Sequence, residues 1–402
     1  MSGDINSDMK KIKTSNYRKI LRLLMREKEI SKQEIVRRTK ISITTIISNI
    51  NRLIENGLAE EAGTAHSTGG RKPVLVRFLP NANYAFGVDF ASNHLTSSNR
   101  IQIILVNLNA EVIAENSLDY KSFTSRDETI HKIKTICFDM MKKHRIDQKR
   151  VIGIGFALPG TVNEKLKILE LAPNLLDSAE MKHIDFKPFE KLFPFPLYVE
   201  NEANTGALAE ITFGVARHKQ NFVYLSINRG ISAGIAIRTH LYKGNKRRAG
   251  EIGHTTVASN GIACTCGGND CWEIYAASGA LIRNYNQKGS SVISSTEEFH
   301  QKLLAGDRQA RKVWDLYLGY LSVGINNILL NFDPRYIIIG GEISEFDNLL
   351  IPPLVSKVFS NTAFFEKGDV EILISTLKTR SSLIGAALLA LQVFLYGDHK
   401  VL

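Results

Sequence analysis

Three of the four cysteines, Cys264, Cys266 and Cys271, fall within eight residues, and His254 stands ten residues before the first of them. No other feature restricts the local fold of this 402-residue chain as tightly. The N-terminus, MSGDINSDMKKIK, is polar and carries no apolar secretory segment, so a disulfide framework is disfavoured and a metal site expected. One imidazole and three thiolates form the closed tetrahedral set that suits structural zinc, whereas a catalytic ion would need an open position. Gly267 and Gly268 relieve the tight turn that the Cys-x-Cys step demands. The remaining cysteine, Cys137, lies on an amphipathic segment and reads as a core residue.

The length suits two or three domains. No apolar run reaches the roughly 18 residues that span a bilayer, so no membrane association is expected and the expected compartment is the cytoplasm. The net charge of +11 is unevenly spread: residues 1–80 hold 16 Lys and Arg against 8 Asp and Glu, which is +8, leaving +3 for the other 322. Concentrated positive charge on a small module is what a phosphate-backbone binder requires.

The pattern within those 80 residues is specific. Tyr17, Ile20, Leu21 and Leu24 share one helical face. Ser31-Lys32-Gln33-Glu34 reads as a capping box opening a second helix. Ser42 caps a third, whose stripe Ile43, Ile46, Ile47, Ile50, Leu53 and Ile54 ends at Gly57. The polar face opposite, with Thr44, Thr45, Ser48, Asn49, Asn51 and Arg52, is short-chained and suits a major groove. Two short strands, residues 58–62 and 74–78, flank a loop bearing Arg71 and Lys72. Three helices followed by a two-stranded wing make a winged helix-turn-helix, with Ser42, Thr44, Thr45, Ser48, Asn49, Arg52, Arg71 and Lys72 as candidate contacts to an operator in double-stranded DNA.

Residues 79–84 read as a linker. Beyond it, strands at 85–90, 101–107 and 111–115, a helix near 127–144 and a strand at 151–157 begin an alternating α/β body. Two stretches identify it: Val199-Glu200-Asn201-Glu202-Ala203-Asn204, and Gly250-Glu251-Ile252-Gly253-His254 with the cysteine segment ending at Glu273. Together they resemble the ROK family, whose members include repressors and sugar kinases. The stretch Ser67-Thr-Gly-Gly-Arg-Lys-Pro73 is similar to the wing of the family's xylose and N-acetylglucosamine repressors. The resemblance implies a two-lobed actin- and hexokinase-like (ribonuclease H-like) body, a homodimer or homotetramer, and a sugar or sugar phosphate held between the lobes. The division expected is 1–80 for the head, 84–200 with 385–402 for the first lobe, and 201–384 for the second. The resemblance places Asn201, Glu202, Glu251, His254 and Glu273 on the sugar hydroxyls, with Gly160 and Asn174 in the wall. The family's cysteine pattern is met except at Asp270, where it has glycine.

The features a sugar kinase needs are altered. Its carboxylate base is Asp, and this chain has Glu202, one methylene longer, at that position. The first phosphate hairpin, Asp-x-Gly-x-Thr in kinases, is here Asp89-Phe90-Ala91-Ser92-Asn93. The second is Asn228-Arg229-Gly230-Ile231-Ser232-Ala233-Gly234, poor in the glycines that admit a phosphate. Only Gly340-Gly341 matches. The expectation is a transcriptional regulator of carbohydrate metabolism, repression being implied by the resemblance, with no catalytic residue. The alternatives are a working hexose or N-acetylhexosamine kinase with a DNA-binding head, and a zinc or redox sensor.

Overall fold

The computed structural model describes residues 3–64, 73–90, 100–119, 126–173, 183–287, 292–360 and 364–397. In the head, α1 (Gly3–Glu27), α2 (Lys32–Thr39) and α3 (Ile43–Glu55) enclose Ile20, Leu21, Leu24, Ile35, Ile46, Ile50 and Leu53, all buried. Ser31 caps α2 by accepting from the Glu34 amide at 3.2 Å. The Glu34 carboxylate does not return to Ser31; it takes Arg37 and Arg38, so only half of the expected capping box forms. The strands β2 (Ala59–Thr64) and β3 (Val74–Phe78) pair antiparallel, and a third strand, β1 (Glu29–Ser31), lines β3 on its other edge. At three residues, with only Ile30 facing inward, β1 has no periodicity to read.

Residues 79–84 are not a free linker. The Leu79 amide donates to Leu58 O, Leu108 N to Pro80 O and the Arg150 Nε to Ala82 O, at 2.9–3.0 Å, tying head and body together.

The first lobe has a five-stranded sheet ordered β11-β7-β4-β5-β6, from β4 (Tyr84–Asp89), β5 (Arg100–Asn107), β6 (Val112–Asp119), β7 (Val151–Leu158) and β11 (Leu197–Asn201). The helix α4 (Arg126–Lys143) covers one face with Cys137 fully buried, and burial pushes that thiol up. A small sheet, β8 (Thr161–Asn163), β9 (Ile168–Leu171) and β10 (Ile184–Asp185), projects toward the cleft. After α5 (Glu202–Thr212) the second lobe repeats the plan as β14-β13-β12-β15-β16, from β12 (Phe222–Ile227), β13 (Ile231–Ile237), β14 (His240–Leu241), β15 (Tyr336–Gly340) and β16 (Glu371–Ile374). Its helices are α6 (Trp272–Ala276), α7 (Ser278–Asn286), α8 (Thr296–Leu304), α9 (Arg308–Phe332) and α10 (Ile351–Val358), packed around Trp272, Tyr317 and Trp314.

The last helix, α11 (Ser381–Tyr396), lies against the first-lobe sheet and α5. Glycine permits the approach: a Cβ on Gly385 would meet Thr205 O at 1.9 Å, and one on Gly155 would meet Ala386 O at 1.9 Å. Residues 378–396 are long and apolar enough to cross a membrane by length and composition, which the sequence pattern did not bring out, but they are mostly buried inside the fold. The same helix touches the head, where Arg22 Nη1 donates to Leu395 O at 3.0 Å and its guanidinium lies 4.6 Å from the Tyr396 ring centroid.

Candidate effector cleft, metal cluster and DNA-reading face

A cleft of about 580 Å³, open to solvent, lies between the lobes, and Gly160, Glu202, Glu251, His254 and Glu273 all line it. Asn174 lies outside the described residues. Asn201 is the residue the structure uses differently. As the N-cap of α5 its Oδ1 accepts from the Ala203 and Asn204 amides at 2.8 and 3.1 Å. Its Nδ2 donates to Gly160 O and Glu202 Oε2, each at 2.9 Å. All four hydrogen-bonding positions of the amide are thereby filled, and Asn201 aims Glu202 rather than lining the cleft.

Glu202 receives a second hydrogen bond, on Oε1, from the Ser232 hydroxyl. Burial, with Glu251 nearby, pushes its pKa up to about 8 despite those donors. Glu251 is raised to about 7 by burial and by the charge of Glu273, against a hydrogen bond from Thr161. Thr161 belongs to the first lobe and Glu251 to the second, so this contact crosses the cleft. A stronger crossing lies beside it. Glu164, just after β8, takes Arg247 Nε at 2.7 Å and Lys243 Nζ at 3.5 Å, and Lys243 also pairs with Glu200 at 2.5 Å. Burial opposes the charges here, yet the Lys243 ammonium, with Arg247, holds Glu164 below the usual carboxylate range. Arg247 stands four residues before Glu251, so the cluster pins the loop that delivers a sugar-facing carboxylate.

Sequence reading missed Ser232 and Thr161 as partners of these carboxylates, and also the Glu164–Lys243 pairing; no motif marks any of them. It named Arg229, which is exposed at the cleft rim. Asn228 beside it donates from Nδ2 to Ser226 Oγ at 3.1 Å, while its Oδ1 accepts from the Glu342 amide at 2.9 Å. Its side chain thus fills the gap between this turn and Gly341, where an added Cβ would come 2.6 Å from the same oxygen. At the other hairpin, Asp89 is buried and receives the Ser382 hydroxyl of α11; residues 91–99 lie outside the described ones.

His254, Cys264, Cys266 and Cys271 converge, their ligand atoms all within 4.8 Å of one another. Cys264 Sγ lies 3.7 Å from His254 Nδ1, and Cys266 Sγ lies 3.6 Å from Cys271 Sγ. Tetrahedral zinc at about 2.3 Å from each sulfur separates its ligands by about 3.8 Å, so the donor set and the spacing both fit. His254 Nδ1 also lies 3.6 Å from Glu273 Oε1, so the metal cluster and the cleft carboxylate adjoin. Asp270 adopts the glycine-like conformation, φ +55°. Its carboxylate, held below its usual range by the Tyr275 hydroxyl, accepts from the Gly261 and Ile262 amides at 2.7 and 3.1 Å. The departure from glycine is therefore compensated by three hydrogen bonds across the loop.

In the head, Ser42, Thr44, Ser48, Asn51 and Arg52 are exposed along α3, and Thr45 is half-buried. Arg52 is steadied over the Tyr17 ring at 5.0 Å. Asn49 is not on this face: it is 9% exposed, and its amide donates to Thr45 O at 2.7 Å. Ile43 and Ile47, placed in the apolar stripe by their spacing, are exposed instead. The stripe that reaches the core is Ile46, Ile50 and Leu53, and the two isoleucines stand at its margin. Arg71 and Lys72 lie outside the described residues.

A winged helix-turn-helix docked on a two-lobed α/β body, with a polar interlobe cleft and a Cys3His cluster at its edge, is the architecture of a DNA-binding transcriptional regulator built on a sugar-kinase scaffold. The chain belongs to the ROK family, which it matches over residues 97–393, and residues 16–60 match the winged helix-turn-helix DNA-binding family. It is 30% identical to the xylose repressor of Bacillus spizizenii over 97% of this chain and 98% of that protein. It is 25% identical to the DNA-binding transcriptional dual regulator NagC of Escherichia coli, over 96% of this chain and 94% of that one. Among solved structures, a ROK family transcriptional regulator homologous to the Escherichia coli MLC protein superposes with a TM-score of 0.77 at 22% identity, covering 96% of this chain and 97% of that one. A ROK family glucokinase from Streptomyces griseus superposes at 0.66 and 22% identity, covering 77% of this chain and all of that one. These likenesses show the fold.

Proposed function

We propose that this protein is a cytoplasmic repressor of carbohydrate-metabolism genes whose grip on its operator is set by a sugar or sugar phosphate in the interlobe cleft. The observation that carries the reading is the convergence of Glu202, Glu251, His254 and Glu273 on one cleft in a chain that also holds a DNA-reading head. Carboxyl groups that share protons at neutral pH both accept from and donate to vicinal hydroxyls, which suits a polyol more than a hydrocarbon. Titration of the purified protein with aldoses, N-acetylhexosamines and their 6-phosphates in a calorimeter tests this. At least one ligand should bind wild type and fail to bind Glu251→Gln; a ligand that binds both equally places the site elsewhere.

The cleft works as a sensor and not as a kinase. Glu202 stands where the family's base is the shorter Asp, and burial with Glu251 nearby pushes its pKa up to about 8, so the free carboxylate is the minor form at neutral pH. Asn228 fills the space between two turns that would otherwise admit phosphates. Zinc at His254, Cys264, Cys266 and Cys271 would supply a cross-link that fixes the loop between Glu251 and Glu273. The protein works as a homodimer, the symmetry a palindromic operator calls for. A face on α9 supports this: Leu316, Val323 and Leu330, seven residues apart, are 53%, 40% and 58% exposed. No charged residue occurs from Leu316 to Phe332, and heptad spacing of that kind suits a second copy.

A further inference from the structure

Ile43 and Ile47 stand one turn apart on the same side of α3 and are 43% and 40% exposed. Apolar side chains left partly in water at the front of a helix forgo part of the stabilisation that burial gives, and neither isoleucine belongs to the buried core of the head. Their neighbours in the exposed face are Thr44, Ser48, Asn51 and Arg52, and the one acid of the helix, Glu55, is at its far end. Arg52 is the cation of this face and, with a net charge of +8 over residues 1–80, the surface calls for a polyanion, not for an apolar protein groove. In a helix-turn-helix the N-terminal half of this helix reaches base edges, and both isoleucines lie in that half. Among the base edges of the major groove, thymine alone presents an apolar group, its C5 methyl. A β-branched side chain is already stiff at χ1 and loses little freedom when it packs against that methyl.

We infer that Ile43 and Ile47 read thymine methyl groups in the major groove, so that the operator carries A·T pairs beneath the first turns of α3. The inference rests on the DNA-binding reading and goes beyond it by assigning the base chemistry. Binding duplexes are selected from a random-sequence DNA pool with the full-length protein, and each thymine of the selected site is then replaced singly by deoxyuridine, which removes only the methyl. At the positions under α3, affinity should fall about fourfold per methyl, the ratio one buried methyl-sized group is worth. Ile47→Ala and Ile43→Ala should bind the thymine duplex more weakly and no longer distinguish it from the deoxyuridine one, while Ser48→Ala keeps the distinction. Both isoleucines are surface residues, and unchanged circular dichroism melting shows that the variants fold. If every deoxyuridine duplex binds as its parent does, the inference is overturned while DNA binding stands. If the pool yields no enriched duplex at all, the DNA-binding reading falls and takes this inference with it.

Discussion

Glu202 shows how placement decides what a residue does. An ordinary glutamate titrates near 4.3 in an unfolded chain, but in the fold Glu202 is raised to about 8. The folded state therefore holds this proton more tightly, and the contribution to stability is complete below about pH 4 and lost as pH rises through about 8. The melting temperature of the wild type should fall between pH 6 and pH 9, and Glu202→Gln should flatten that slope, leaving only the part owed to Glu251, which titrates at about 7; equal slopes would mean that Glu202 is ionised throughout. The type of each cleft residue was legible because the spacing around Asn201, Glu251 and Glu273 is distinctive. The job of Asn201 was not, because its partner Gly160 lies 41 residues away in the chain. Asn49 and Ile47 exchanged expected places for a related reason. A 3.6-residue period sets the centre of a helical face, but its margins are set by where neighbouring elements end.

Among the elements, the loops that carry the site are held by groups that no motif contains. Lys243 of the second lobe is half-buried between two carboxylates of the first, Glu164 and Glu200. Lys243→Met leaves Glu200 without that ammonium and Glu164 with Arg247 alone. It should cost about 2 kcal/mol in urea unfolding, discounted from the value for a fully buried pair, and weaken the effector found by calorimetry. Loss of stability with unchanged effector affinity would show that the cluster does not position Glu251. The cluster of His254 and three cysteines was the most legible element, since its members sit close in sequence and their chemistry allows few alternatives. Metal analysis should find one zinc per chain, and Cys266→Ser should lose it together with sugar binding. Retention of full sugar affinity without zinc would separate the loop from the site. The short strand β1 and the packed segment 79–84 were illegible, because both are defined by hydrogen bonds to distant strands and turns.

At the scale of the whole molecule, head and cleft share one helix. α11 begins at the cleft side, where Ser382 meets Asp89, packs along α5 behind Glu202, and ends where Leu395 and Tyr396 take Arg22 of the head. A shift of lobe closure has a rigid route to α1, and a ligand that prefers one closure can bias the other end. The two-lobed plan was legible through family motifs; this contact between residues at opposite ends of the chain was not. Dimerisation through α9 predicts that Val323→Glu turns a dimer into a monomer in sedimentation equilibrium and weakens operator binding at least tenfold, and a variant that stays dimeric moves the interface elsewhere. The central claim is coupling between cleft and DNA, and the most direct measurement is fluorescence anisotropy of the selected operator duplex, titrated with protein in the presence and absence of each sugar and sugar phosphate. Operator affinity should change at least tenfold with one ligand and stay constant in Glu251→Gln. An affinity indifferent to every ligand in the panel would contradict the account.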